Sequence, residues 1–173
     1  SEAAARDWPG AAADLGDDVF VADSARLAGR VTAQAGASVW YGCRLDARGG
    51  TIAIAANANV QDNSVLVAQE GDLVIGAGST IGHNIELASC RVGARCLVGI
   101  GSRIAPGSVI ADDAFVAAGT RTTPGQVLEG GFVWAGAPAR KLAALDERKR
   151  EIVRITAEVY AGYGRAMRHA VPA

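Results

Sequence analysis

The chain has 173 residues, a formal net charge of −1 and 50% hydrophobic residues, and its length fits one compact domain with a modest appendage. The near-neutral charge argues against a general binder of nucleic acid or anionic membranes. No run approaches the roughly 20 apolar residues of a membrane-spanning helix, and no signal peptide is visible. Only 5% of the residues are aromatic and 22 are glycine, which favours a stacked repeat packed by small and branched side chains.

Residues 1–18 are rich in Ala, Gly and Asp and are predicted to form a lead-in segment, with Trp8 packing against a neighbouring element. The three cysteines, Cys43, Cys90 and Cys96, have neither paired nor metal-type spacing. Their odd number favours a reducing compartment and buried thiols.

An aliphatic position recurs at six-residue steps through most of the chain, and a small residue or glycine usually follows it. The members of the series are Val21, Leu27, Ala33, Val39, Leu45, Ile54, Val60, Leu66, Ile75, Ile81, Leu87, Val92, Val98, Ile104, Ile110 and Val116. This is the hexapeptide β-helix pattern, in which three hexads make one triangular coil and parallel strands stack at about 4.8 Å. The sequence predicts a parallel β-helix of about five coils over residues 19–125.

Three interruptions break the six-residue register. Segments 46–53 and 67–74 insert extra residues, and the step from Leu87 to Val92 is one residue short. Insertions in a solenoid become loops on one face, which is often the binding face.

After Val116 the period fades, so 126–141 is predicted as a connecting turn and 142–173 as a C-terminal helix and tail. Apolar residues there recur at helical spacing, at Ile152, Ile155, Val159, Tyr163 and Met167, with Asp146 as a candidate N-cap. We expect this helix to lie along a wall of the prism. Flat walls rarely stay exposed, so a trimer packed side by side is expected.

Candidate polar residues are few, and His83 and His169 are the only histidines. A catalytic zinc site needs about three protein ligands and an open position for water. One chain therefore cannot assemble an ordinary histidine-rich zinc site, and Asp62 is the nearest plausible carboxylate. Alternatively, His83 is a corner or interface histidine, and Gln61 and Asp62 belong to ladders of side-chain hydrogen bonds.

Glu86 and Arg48 are the remaining charged candidates near these positions. They are candidates for an ion pair between chains, or else are simply solvated.

Several segments resemble the γ-class carbonic anhydrases in sequence and order. They are Trp40-Tyr41-Gly42-Cys43, Asn59-Val60-Gln61-Asp62-Asn63-Ser64-Val65-Leu66, Ile81-Gly82-His83-Asn84, Cys90, and Trp134-Ala135-Gly136-Ala137-Pro138-Ala139-Arg140. The resemblance runs from about Val19 to His169. The Gly-x-Pro-Ala-Arg turn is shared with hexapeptide acyltransferases, whereas the Gln-Asp-Asn and Ile-Gly-His segments are more specific.

The resemblance implies a trimer of left-handed β-helices that hydrates CO₂ with a metal held by three histidines at a subunit interface. The positions of those histidines correspond here to Val67, His83 and Ala88, so two of the three ligands are replaced. Gln61 and Asp62 stand where the family places residues around the metal-bound solvent.

A further departure from the family lies in its Arg-Gly-Asp segment. Asp46-Ala47-Arg48 replaces that segment here, and this implies the loss of an arginine–aspartate arrangement tied to the family's interface and site.

In the family the first and third histidines come from one chain and the second from its neighbour. The hypothesis that follows is a heterotrimer in which His83 completes a neighbour's site while this chain's own site holds no cofactor. Any zinc would be shared at the heterotrimer interface, and the partners would be γ-carbonic anhydrase paralogues.

The tail with Tyr160, Tyr163 and His169-Ala170 resembles that of the γ-carbonic anhydrase subunits on the matrix side of mitochondrial complex I. The expected role is a structural assembly subunit that is not an enzyme, peripheral to the inner membrane, with complex I membrane-arm subunits as partners. A soluble bacterial or organellar compartment is the alternative location.

Two other functions remain open. One is a metal-dependent carbonic anhydrase, interconverting CO₂ and bicarbonate, whose interface site is completed by partner chains. The other is a hexapeptide acyltransferase that uses His83 as a general base.

Overall fold

The computed structural model describes residues 12–170, which form a parallel β-helix followed by one long α-helix. The strands are β1 (Ala12–Leu15), β2 (Phe20–Val21), β3 (Arg26–Ala33), β4 (Ser38–Val39), β5 (Arg44–Ile54), β6 (Asn59–Val60), β7 (Val65–Val67), β8 (Leu73–Ile75), β9 (Thr80–Ile81), β10 (Glu86–Ala88), β11 (Arg91–Val92), β12 (Leu97–Val98), β13 (Arg103–Ile104), β14 (Val109–Ile110), β15 (Phe115–Val116), β16 (Val127–Leu128), β17 (Phe132–Ala135) and β18 (Arg140–Ala144). The helix is α1 (Glu147–His169).

Three walls of parallel strands enclose the core. The first wall consists of the beginnings of β3 and β5, then β7, β10 and β13; the second consists of the ends of β3 and β5, then β8, β11, β14 and β16. The third wall stacks β2, β4, β6, β9, β12, β15 and β17. One strand of the third wall belongs to each turn, so the β-helix has about seven turns.

Inward-facing aliphatic side chains stack directly on one another from turn to turn. On the first wall Leu45 pairs with Leu66, and Leu66 pairs with Leu87, in the parallel register. Every aliphatic position that the six-residue period predicts to face inward is buried, with 5% exposure or less. This burial of apolar surface in a continuous column is what stabilises the solenoid.

The β-helix extends past residue 125, so it has more turns than the five predicted, and strands occupy part of the predicted connecting turn 126–141. The six-residue period continues from Val116 through Thr122, Leu128 and Trp134, all buried. The six-residue period of aliphatic residues is not visible at Thr122, because this inward position holds a polar residue. Its hydroxyl is satisfied inside the wall by the Ala105 amide, 2.8 Å away, and by the Ser108 hydroxyl, also 2.8 Å away.

The interruptions of the register meet at one corner, between the first and second walls. Segment 46–53 was expected as a loop but continues within β5, where the pairing with β3 shifts between Gly29 and Arg30 as in a β-bulge. Residues 68–72 do form a loop between β7 and β8. The Gly49 amide bonds the Ala68 carbonyl at 3.1 Å, and the Ser89 amide bonds the Val67 carbonyl at 2.8 Å, so the three irregularities stack.

The described part of the lead-in segment contributes a strand. Within residues 12–18, β1 pairs in parallel with the end of β3 on the second wall. The predicted packing of Trp8 lies outside the described residues.

Helix α1 begins at Glu147, five residues after the predicted start, and Asp146 is its N-cap as predicted. The Asp146 carboxylate accepts a hydrogen bond from the Lys149 amide at 2.8 Å. The helix contacts β2, β4, β6 and β9 of the third wall, so the predicted packing along a wall is confirmed.

The face of the helix that contacts the wall is not the one that carries the apolar stripe identified in the sequence. Its buried residues are small or short, at Val153, Ala157, Ala161 and Gly164, because the helix lies close to the wall. A Cβ at Gly164 would lie 3.3 Å from the Cβ atoms of Phe20 and Ser38. The residues of the apolar stripe are 38–55% exposed: Ile152, Ile155, Val159, Tyr163 and Met167.

An antiparallel strand ends the solenoid. Strand β18 pairs antiparallel with β17, and Lys141 of β18 lies 3.9 Å from the centre of the Phe132 ring and 2.6 Å from the Glu129 carboxylate. Within residues 12–170, no helix combines the length and the apolar character needed to cross a membrane.

Strand β16 offers a matched test of the extended β-helix, because Leu128 is 0% exposed and its neighbour Val127 is 62% exposed. Leu128→Ala should lower the free energy of unfolding by about 2–5 kcal/mol, since it opens a cavity in the stacked core. Val127→Ala should change it by no more than about 0.5 kcal/mol. Urea unfolding measures both, and equal effects would contradict an inward Leu128.

Candidate functional site

His83 lies at the corner between the third and first walls, in a column of equivalent turn residues. The Asn63 amide bonds the Tyr41 carbonyl at 2.9 Å, the Asn84 amide bonds Asp62 at 3.0 Å, and the Gly101 amide bonds His83 at 3.0 Å. Asn63, Asn84 and Gly101 all have positive φ, at 62°, 54° and 73°. Asparagine and glycine tolerate this conformation, so each of these residues, with the residue before it, forms the turn from the third wall to the first. The column therefore runs Tyr41, Asp62, His83 and Ile100.

The His83 side chain is half-buried, and its Nδ1 atom has no hydrogen-bond partner within residues 12–170. A buried polar nitrogen without a partner raises the free energy of the folded chain by about 1–3 kcal/mol. The His83 Nδ1 atom is therefore available to bind a polar group or ligand from outside the described residues. His169 is not its partner. His169 lies at the end of α1, with its Nε2 atom 4.0 Å from Asp18.

Val67 and Ala88 lie side by side on the first wall. They are direct partners in the parallel pairing of β7 with β10, and Asp46 is the partner of Val67 on the preceding turn. Both side chains are half-buried at the edge of a shallow groove of about 380 Å³. The fold thus brings these two predicted positions together on one wall, while His83 is not among the residues that line the groove.

Gln61 and Asp62 lie on and just after β6. Gln61 is buried, and its amide nitrogen donates to the Asn59 side-chain oxygen at 3.1 Å. Asn59 in turn donates to the Thr80 hydroxyl at 2.9 Å. Gln61 therefore takes part in a polar ladder of the third wall, while Asp62 stands in the corner column beside His83.

Asp46 and Arg48 form an ion pair within the chain. The Arg48 guanidinium donates to the two carboxylate oxygens of Asp46 at 2.9 and 2.5 Å, and Arg44 lies 3.7 Å from the same carboxylate. An arginine–aspartate pair is thus present within the chain, with the order of the two residues reversed relative to the family's segment, while the loss of the family's interface arrangement stays a prediction. The Arg48 hydrogen bonds hold the pKa of the Asp46 carboxyl below its ordinary value.

Glu86 also has its partner within the chain. Its carboxylate lies 2.7 Å from Arg103, so neither Glu86 nor Arg48 depends on a neighbouring chain for an ion pair.

The three cysteines are buried, as predicted, and none forms a disulfide. Burial raises the pKa of Cys43 and Cys96 to about 11 and that of Cys90 to about 12. The thiols therefore stay protonated at neutral pH and offer no thiolate for nucleophilic or metal chemistry.

The side chains of a single chain do not fit a zinc ion. Val67 and Ala88 have no donor atom, and no group of three His, Cys, Asp or Glu side chains within residues 12–170 is placed to hold a metal. What the chain offers is one histidine with an unpartnered nitrogen at a corner, and an apolar pair on the adjacent wall.

An aromatic cluster beside the His83 corner was not foreseen from the sequence. Trp40 lies 4.9 Å from Phe20, 6.2 Å from Tyr41 and 5.4 Å from Tyr160, measured between ring centroids. Tyr160 contacts Tyr163 at 5.7 Å. Burial, followed by the charge of Asp62, raises the pKa of Tyr160, so helix α1 and the corner share one electrostatic environment. Because these aromatic residues are far apart in the sequence, no periodic pattern predicts that they form a cluster.

Comparisons with known proteins group the chain with carbonic-anhydrase-like β-helices, although no protein-family model matches it. Gamma carbonic anhydrase 1, mitochondrial, of Arabidopsis thaliana is 32% identical over 156 residues, covering 86% of this chain and 57% of the relative. The carnitine operon protein CaiE of Escherichia coli is 32% identical over 144 residues, covering 82% of this chain and 72% of the relative. The chain spans a little over half the length of the plant relative.

A solved structure agrees in fold and sequence. The hexapeptide transferase family protein from Anaplasma phagocytophilum superposes with a TM-score of 0.85 at 33% identity, covering 89% of this chain and 92% of that one.

The Asp46–Arg48 pair predicts a pH-dependent part of the stability. Because the folded-state pKa of Asp46 is lowered, the pair stabilises the fold above the ordinary aspartate value of 3.8, and this stabilisation is lost as the pH falls through the lowered pKa. Arg48→Gln should therefore reduce the free energy of unfolding at neutral pH and have no such effect in strong acid. Arg91→Gln, at an exposed arginine of β11, is the control.

Urea unfolding across the acid range, with an NMR titration of the Asp46 carboxyl, measures both effects. An unchanged Asp46 pKa in Arg48→Gln would contradict the assignment.

Proposed function

This chain belongs to the γ-carbonic-anhydrase-like family, and on that premise we propose that it is a structural assembly subunit of a γ-carbonic anhydrase heterotrimer. In the proposed trimer its own zinc site is lost, and His83 completes the site of a neighbouring chain. The trimer is part of the matrix-side module of mitochondrial respiratory complex I, peripheral to the inner membrane. The subunit itself is not an enzyme.

The relative position of Val67, Ala88 and His83 carries this proposal. Val67 and Ala88 are paired on one wall, so two ligands at these positions would belong to the same chain. His83 lies at a corner outside the groove beside them. In the proposed trimer His83 enters the equivalent groove of a neighbouring molecule. This chain has kept the residue that serves a neighbour and replaced the two that would serve itself.

The surface beside His83 supports a subunit interface. The outward side of α1 exposes the stripe Ile152, Ile155, Val159, Tyr163 and Met167, and the corner column exposes Tyr41 and Ile100. Contiguous exposed apolar surface of this kind usually marks a contact with another protein. The aromatic contacts from Tyr163 through Tyr160 and Trp40 to Tyr41 link the helix stripe to the corner.

The mitochondrial placement rests on the relatives and on the family resemblance. Three plant relatives described as mitochondrial γ-carbonic anhydrases match 80–86% of this chain. A subunit that serves in assembly needs the β-helix core and the apolar stripe of α1 for its contacts. It does not need a complete metal site.

Carbonic anhydrase activity in an assembly with histidine-complete partners is the second candidate, favoured by the retained His83. A bound metal would lower the pKa of its water and supply hydroxide for CO₂ hydration. For the third candidate, an acyltransferase, the hexapeptide transferase relative is the supporting observation. His83 does not line the groove beside Val67 and Ala88, so that groove gives no support to a general base at this position.

The donated ligand is tested in the native assembly. His83→Ala should remove the metal of the neighbouring site, because a catalytic zinc loses most of its affinity when one of about three ligands is missing. Metal content per assembly is measured by inductively coupled plasma mass spectrometry alongside native mass. His169→Ala, the other histidine, is the matched control and should retain the metal. Full metal content in the His83→Ala assembly would overturn the proposal.

Restoring the replaced ligands in this chain tests whether His83 of a neighbouring chain can serve as the third ligand. The double variant Val67→His with Ala88→His should allow a trimer of this chain alone to bind about one zinc per chain, because each groove would then have two ligands and a neighbour's His83. Adding His83→Ala should abolish that binding. Zinc binding that survives His83→Ala would show that the neighbour's histidine is not the third ligand.

A further inference from the structure

The outward positions of the first wall form a column in which four of six residues are arginines. In register from turn to turn the column contains Arg26, Arg44, Val65, Glu86, Arg103 and Arg121. Arg103 and Arg121 are direct neighbours on adjacent turns, where strands are about 4.8 Å apart. Like charges directly opposite on neighbouring strands destabilise a sheet unless another charge compensates them.

The carboxylates nearby do not compensate both arginines. Glu86 lies 2.7 Å from the Arg103 guanidinium, and Asp46 is held by Arg48 and lies near Arg44. Within residues 12–170 the Arg121 side chain has no ion pair. This end of the wall therefore has two guanidiniums for one carboxylate.

The arginines border the groove that contains Val67 and Ala88. Its volume is about 380 Å³, which is in the range of sites for small ligands. The outward apolar residues of its lining come from three turns: Val65, Val67, Ala88 and Ala105. The Thr122 hydroxyl, also in the lining, is already bonded to Ala105 and Ser108. Glu86 also lines the groove, but its carboxylate is paired with Arg103. The charged side chains of the lining therefore sum to one net positive charge.

We propose that this groove binds a short-chain aliphatic carboxylate. The carboxylate lies between Arg121 and Arg103, and the alkyl chain extends along Ala105 and Ala88 toward Val67. A guanidinium is a planar fork that matches two carboxylate oxygens. One net positive charge and an apolar floor fit a monoanion with a tail better than a compact, multiply charged phosphate.

The site rests on the residues of one chain and does not depend on the heterotrimer. In an assembly, a neighbour packed on the first wall would close the groove over its ligand and exclude water. The replacement of donor residues by Val67 and Ala88 then provides an apolar surface for the alkyl chain, in the place where a metal would need ligands.

Binding of butyrate to the purified protein, measured by titration calorimetry and saturation-transfer NMR at low salt, tests the proposal. Arg121→Gln should weaken butyrate binding about tenfold, because it removes a charge-assisted hydrogen-bond pair. Arg91→Gln, an exposed arginine on the second wall, should leave it unchanged. Butylammonium, which has the same tail and the opposite charge, should not bind.

A second variant addresses the tail. Ala88→Leu fills the floor of the groove and should remove the advantage of butyrate over acetate, whereas Ala77→Leu at an exposed corner should keep it. Absence of butyrate binding, equal loss in the two arginine variants, phosphate bound as tightly as butyrate, or an unchanged preference in Ala88→Leu would each overturn the proposal. Urea unfolding of each variant separates loss of binding from loss of fold.

Discussion

The structure depends on the requirement that each inward side chain lie directly over its counterpart one turn away. Parallel pairing fixes this register through the backbone, and Leu45, Leu66 and Leu87 show how little freedom it leaves to the side chains. A residue that faces outward at the next position has no such requirement. The inward columns therefore specify the fold, and the outward columns are available for chemistry.

The difference between inward and outward positions explains which parts of the fold could be predicted from the sequence. Period and residue type predicted the buried column because burial at these positions depends on spacing alone. The same rule stopped early at Thr122, since a hydroxyl satisfied by Ala105 and Ser108 occupies an inward position as well as an aliphatic group does. Hydrogen bonding between turns is not visible as a periodic pattern, so the sequence predicts a connection where the structure has the last turns.

The helix and the charged residues were harder to predict because they depend on distance between elements. Helix α1 lies so close to the third wall that only small side chains such as Ala157 and Gly164 fit between them. The larger apolar residues of the stripe therefore face outward. Similarly, Asp46 and Arg48 lie two residues apart on one strand, where side chains share a face, and their ion pair is not evident from residue order alone. Positions Val67 and Ala88 were identified by resemblance, and their adjacency follows from pairing that no single segment reveals.

Strand β18 has a consequence for how the molecule can grow. A stack of parallel turns presents at its end an unpaired strand edge that another β-structure can extend. By reversing direction against β17, β18 occupies that edge with a strand that does not continue the coil, and Lys141 places a charge on it, held by Glu129 and the Phe132 ring. Association through this edge of the third wall is thereby blocked. A chain that lost this short strand would expose β17 as an edge that another β-structure could extend.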